Sequence, residues 1–84
     1  MRDFEAFLKS QNYTHIRKLK DGTWVAITPL LFTWAILVDM DEYGYRVRYC
    51  YDDHDLAIRE IEKMTSKDSI PEGWIARRPP QLLK

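Results

Sequence analysis

The chain has one cysteine, three glycines and no excess of either charge, and each scarcity excludes something. With Cys50 alone, no intrachain disulfide framework and no multi-cysteine zinc site can form, which suits a reducing compartment. Gly22, Gly44 and Gly73 stand too far apart to build a phosphate-cradling loop, and no serine sits in a G-x-S-x-G elbow. Basic and acidic residues balance at 13 each, so no overall field draws the chain to nucleic acid or to an anionic membrane. Any binding preference must come from local patches. Apolar runs are short as well: residues 35–38 are soon followed by Asp39 and Asp41, far from the ~20 residues of a membrane span. The N-terminal MRDFEAFLKS carries early acids and no signal-peptide apolar core. A cytoplasmic protein that makes no membrane contact is expected.

What is present is an ordinary apolar content, 45%, and a high aromatic share, 13%, in 84 residues. That composition favours one folded domain over disorder. The organising stretch is TWAILVDMDEYGYRVRYCY, residues 33–51. Its first half is apolar on both parities, with Trp34, Ile36, Val38 and Met40 on one and Ala35 and Leu37 on the other, so this strand is covered on both faces. Its second half alternates: Tyr45, Val47, Tyr49 and Tyr51 against Arg46, Arg48 and Cys50. Asp39, Asp41, Glu42 and Gly44 supply turn chemistry between them.

Upstream, Phe4, Phe7 and Leu8 form an amphipathic stripe over residues 3–11, a helix too short to stand without docking. Residues 13–19 form a modest edge strand, and Asp21-Gly22 is a strong hairpin signal leading into a strand over residues 24–28, closed by Pro29. Downstream, Asp52 or Asp53 caps a second helix that carries Leu56, Ala57, Ile61 and Met64 on one face. The last segment holds Pro71, Gly73, Pro79 and Pro80 and is neither helix nor central strand. Ile70, Trp74 and Ile75 are too apolar to be left loose and are expected to lie across an edge or the second face of the domain.

The expected architecture is α+β, in the order α-β-β-β-β-α with an extended C-terminal segment. Four antiparallel strands form a meander, with two helices packed on one face. Residues 1–76 form the single domain and 77–84 a mobile tail.

Chemistry-bearing groups are few. Asp52, Asp53, Asp55 and His54 lack the spacing of a calcium loop and fit a helix cap and first turn; a small metal-dependent enzyme at this cluster is the weakest alternative. Cys50 with His15 or His54 has no third orienting group, and a lone cysteine between tyrosines fits a core position. No catalytic residue, metal ligand or cofactor is expected. The sheet parity yields a more specific expectation. If the helices cover the face with Ile16, Val25, Ile27, Ile36, Val38, Tyr45, Val47 and Tyr49, the other carries His15, Arg17, Trp24, Thr33, Leu37, Arg46 and Arg48. Arg17, Trp24, Arg46 and Arg48 are then the binding candidates, since arginine and tryptophan are enriched at binding hot spots and stack on bases. A protein partner is the leading expectation, and nucleic acid on the same face is the alternative. The edge strand over residues 13–19 leaves a homodimer open.

Two resemblances bear on this. The helix-strands-helix order resembles the double-stranded RNA-binding domain, whose second helix opens with basic residues that grip phosphates. Here Asp52, Asp53 and Asp55 occupy that place and would repel them. Over most of the chain after Gly22, the pattern Phe32-Thr33-Trp34-Ala35-Ile36, Gly44-Tyr45, Arg48-Tyr49-Cys50-Tyr51 and Pro71-Glu72-Gly73-Trp74-Ile75 resembles small uncharacterised open reading frames of bacteriophages and prophages. That resemblance implies a bacterial cytoplasmic setting and no known activity. By analogy of context, it implies a non-enzymatic inhibitor or modulator of a host protein, such as a defence complex.

Overall fold

A computed structural model of the chain describes residues 4–41 and 44–78. The elements run α1 (Phe4–Ser10), β1 (Thr14–Lys18), β2 (Trp24–Pro29), β3 (Trp34–Val38), β4 (Val47–Tyr51), α2 (His54–Lys63) and β5 (Ala76–Arg78). The strands are antiparallel neighbours in the order β1-β2-β3-β4-β5. The meander is therefore the expected one with a fifth strand added after α2.

Local chemistry sets each turn. At Asp21-Gly22 the glycine takes φ 90°, and the Asp21 carboxylate accepts from the Thr23 amide at 3.0 Å. The same carboxylate accepts from the Lys67 amide at 2.9 Å, tying the first hairpin to the loop after α2. Asp53 caps α2, its carboxylate accepting from the Leu56 amide at 3.2 Å, and Asp55 follows in the first turn, where acids suit the helix dipole.

The two helices lie on opposite faces of the sheet, and not together on one. Against α2 pack Leu19, Val25, Ile27, Ile36, Val38, Val47, Tyr49 and Tyr51, with Ala57 and Ile61 from the helix and Met64 from its C-cap. On the α1 side Leu8 is buried with Ala26, Ala35, Leu37, Met40 and Cys50, and Phe4, Tyr13, Ile16, Trp24 and Tyr45 pack around them. The physical reason is the apolar parity of both central strands. Ala26, Ala35 and Leu37 would face water if both helices shared the other side, and one short helix per face covers both sets. The faces also differ in kind, since small residues on the α1 side leave room for half-buried aromatics to lie across the sheet.

Several residues sit on faces other than those their parity suggests. The β1–β2 register shifts between Thr14 and Arg17, with His15 at φ 52°. This bulge sends Ile16 to the α1 side and Arg17 to the α2 side, because one extra residue inverts the alternation. Tyr45 packs on the α1 side because regular pairing in β4 begins only at Val47.

The C-terminal segment is tied down at several points. The Tyr51 hydroxyl donates to the Glu72 carbonyl at 2.8 Å, and the Glu72 amide donates to the Glu60 carboxylate at 3.0 Å. Trp74 donates its indole N–H to the Pro71 carbonyl at 2.9 Å and packs on Tyr49. The chain then pairs with β4, placing Ala76 opposite Cys50, Arg77 opposite Tyr49 and Arg78 opposite Arg48. Arg77 and Arg78, expected in the mobile tail, are thus part of the sheet edge; the rest of that tail, residues 79–84, lies outside the described residues. Among the described residues no helix is long and apolar enough to cross a membrane.

Candidate functional site

The four residues expected to share a binding face are not on one surface. Arg17, turned by the bulge, donates from Nη1 to the Ile61 and Met64 carbonyls, the latter at 3.3 Å. It therefore adds a charged donor at the C-terminal end of α2, where the Ile61 carbonyl also accepts from the Met64 amide at 3.2 Å and a cation suits the dipole. Trp24 is half-buried on the α1 side, edge-on to Phe4 at 5.3 Å between ring centres, with the Lys18 ammonium 6.0 Å from its ring. Arg46 pairs with Asp39 at 3.7 Å and donates to the Lys67 carbonyl at 3.2 Å, so it belongs to the region around the 64–69 loop. Arg48 is half-buried on the α1 side opposite Leu37, and its Nε is buried without a hydrogen-bond partner. The structure brings Trp24 and Arg48 to one face, and Arg17 and Arg46 to the other side of the sheet.

The remaining candidates also separate. Cys50 is buried on the α1 side of β4, whereas His15 stands against His54 beyond the opposite face. A thiolate–imidazole pair is not assembled. In the acidic group, Asp53 is occupied as the helix cap, while Asp52 and Asp55 are exposed. Among the described residues, no group of three His, Cys, Asp or Glu side chains is placed to hold a metal ion.

The most distinctive surface lies at the tip of the β2–β3 hairpin. The stem is fully paired from Val25↔Val38 to Pro29↔Trp34, and the Leu30 amide donates to the Thr33 carbonyl at 2.7 Å, closing the loop. Leu30 turns inward against the α1-side core. Leu31 and Phe32 do not: they are 87% and 85% exposed. Two adjacent large apolar side chains are therefore held in water on a rigid stem. Neither stabilises the fold by burial, and each would release water-exposed apolar area on meeting a partner, at about 25 cal/mol per Å². Ile70 and Ile75 are also exposed, but they flank the C-terminal segment.

Sequence reading treats residues 29–32 as a link of undecided shape and misses Leu31 and Phe32. The available signal is the composition of the link: hairpin loops are ordinarily polar, and Pro-Leu-Leu-Phe breaks that pattern. What the sequence leaves undetermined is which of the three apolar residues turns inward. No family model, curated protein or solved structure matches this chain.

Proposed function

We propose that this chain is a small non-enzymatic protein-binding module whose primary contact is the tip of the β2–β3 hairpin, with Phe32 and Leu31 inserting into an apolar pocket of the partner. The observation that carries this reading is the near-complete exposure of the two side chains on a fully paired stem. An aromatic anchor on a preorganised support suits a binding hot spot, because little conformational freedom is lost on association. The resemblance to phage and prophage reading frames makes a cytoplasmic bacterial protein the partner class, and an inhibitor or modulator of a host factor the biological role.

A photo-crosslinking phenylalanine analogue at position 32 tests this in bacterial extract. The expected outcome is a discrete protein adduct that excess wild-type chain displaces and the chain with Leu31→Asp and Phe32→Asp does not. Equal displacement by both competitors, or no displaceable protein adduct, rejects the reading.

A further inference from the structure

A cleft with a volume of about 230 Å³ opens where the C-terminal end of α1 meets the turn between β3 and β4. Its floor is apolar and buried, formed by Leu8 and Met40. Its walls are aromatic: Phe7 comes from α1, Tyr13 from the residue before β1, and Tyr45 from the segment leading into β4. Phe7 stacks on Phe4, with ring centres 5.9 Å apart. Among the described residues none of the three lining rings packs against another, so all three border the same open space. Asp41 is exposed at the mouth and is the only charged side chain among the described residues that line the cleft.

Backbone bonds hold these groups in place. The Tyr13 amide donates to the Leu8 carbonyl at 3.3 Å, fixing the chain as it leaves α1 through Asn12, φ 70°. Asp41 and Gly44 bridge one another: the Asp41 amide donates to the Gly44 carbonyl at 2.8 Å, and the Gly44 amide reaches the Asp41 carboxylate at 3.0 Å. That last bond uses one of the carboxylate's several acceptor positions and leaves its charge in place. The walls and the carboxylate are thus positioned before a ligand arrives, which lowers the cost of binding.

We propose that this cleft binds a small quaternary ammonium compound of the choline type. A cation is favoured because aromatic faces are electron-rich and a carboxylate stands beside them. Desolvation then selects the kind of cation. A primary ammonium carries three N–H donors and a guanidinium five, and beside an apolar floor one carboxylate cannot pair them all. A quaternary ammonium has no N–H to satisfy and sheds its water against carbon and π surfaces. Size points the same way, since drug-sized ligands fill pockets of about 300–1,000 Å³ and this cleft suits a compact head group. The cleft lies at the end of β3 remote from the β2–β3 hairpin tip, so the site is independent of the hairpin-tip reading.

NMR titration of the chain with choline chloride, at an ionic strength held constant with sodium chloride, tests the site. The Phe7, Tyr13 and Tyr45 ring resonances are expected to shift along one saturable isotherm, and the choline methyl signal to move upfield under the ring currents. The uncharged tert-butyl analogue of choline has the same shape and should bind about tenfold more weakly, as should ethanolamine, whose ammonium keeps its donors. Tyr45→Leu keeps apolar bulk while removing a π face, and Asp41→Asn keeps an acceptor for the Gly44 amide while removing the charge. Each is expected to weaken choline about threefold or more and to leave the tert-butyl analogue within about twofold. Ring resonances that do not saturate, equal affinity for choline and its uncharged analogue, tighter binding of ethanolamine, or undiminished choline affinity in both variants overturns the proposal. The comparison of ligands is made on the wild-type chain and decides the matter whatever the stability of the variants.

Discussion

Residues of similar character do opposite work in this chain. Arg17 and Arg46 are both expected from sequence on the outer sheet face, yet Arg17 bonds two carbonyls at the end of α2 while Arg46 makes an exposed ion pair. Arg17→Met, which keeps much of the side-chain packing, is expected to cost about 1–2 kcal/mol by leaving those carbonyls without their charged donor. Urea unfolding measures it, and a midpoint equal to that of the wild type would show that the carbonyls find water instead. Leu31 and Phe32 give the converse case. Their joint replacement by serine should change stability by less than about 0.5 kcal/mol, because almost none of their surface is withdrawn from water in the fold. A large loss of stability would mean that these side chains pack within the chain. The arginines and the apolar pair were legible as unusual residues, but their roles were not, since each role depends on what a turn or bulge places beside it.

Among the elements, the C-terminal segment shows most clearly how an irregular stretch becomes structural. Its route over α2 requires Gly73, which has φ 82° and whose absent Cβ would lie 2.7 Å from Leu56 Cδ2. Leu56 can rotate, but the backbone conformation remains costly for any side chain, so Gly73→Ala is expected to destabilise by at least about 1 kcal/mol. Thermal or urea unfolding tests this; a neutral result would show that the segment can re-route without cost. β5 was not legible because its three residues, Ala-Arg-Arg, carry no strand pattern. It is a strand because the Tyr51–Glu72–Glu60 bonds deliver the chain to the open edge of β4. By contrast, α2 was legible almost to the residue, since its cap, acidic first turn and apolar face are all local signals.

For the molecule as a whole, two carboxylates act as long-range ties and set the response to acid. The Lys67 amide, with further bonds from Thr23, holds Asp21 below its ordinary value. Glu60 is held below its ordinary value first by the Glu72 amide and then by Lys63, whose ammonium is 2.9 Å away. In both cases the folded state binds the proton less readily than the unfolded chain. Their stabilisation is therefore full above the unfolded value, about 4, and is lost as pH falls through it toward the lower folded values. Urea midpoints measured from neutral pH down to about pH 3 should fall less steeply for the chain with Asp21→Asn and Glu60→Gln than for the wild type. Parallel profiles would assign the acid sensitivity to other groups.

The sequence by itself determined the α+β class, an antiparallel meander of the first four strands, the two helices and a helix cap at Asp52 or Asp53. Each rests on contacts within a few residues or on a period that local chain geometry imposes. Only the tertiary structure decided that the helices take opposite faces, that β5 closes the order and that His15 meets His54. Those outcomes depend on which buried surface is left uncovered and on one extra residue in β1. A single inserted residue inverts every later side chain on its strand, and its presence is set by pairing with a partner strand rather than by the residues around it.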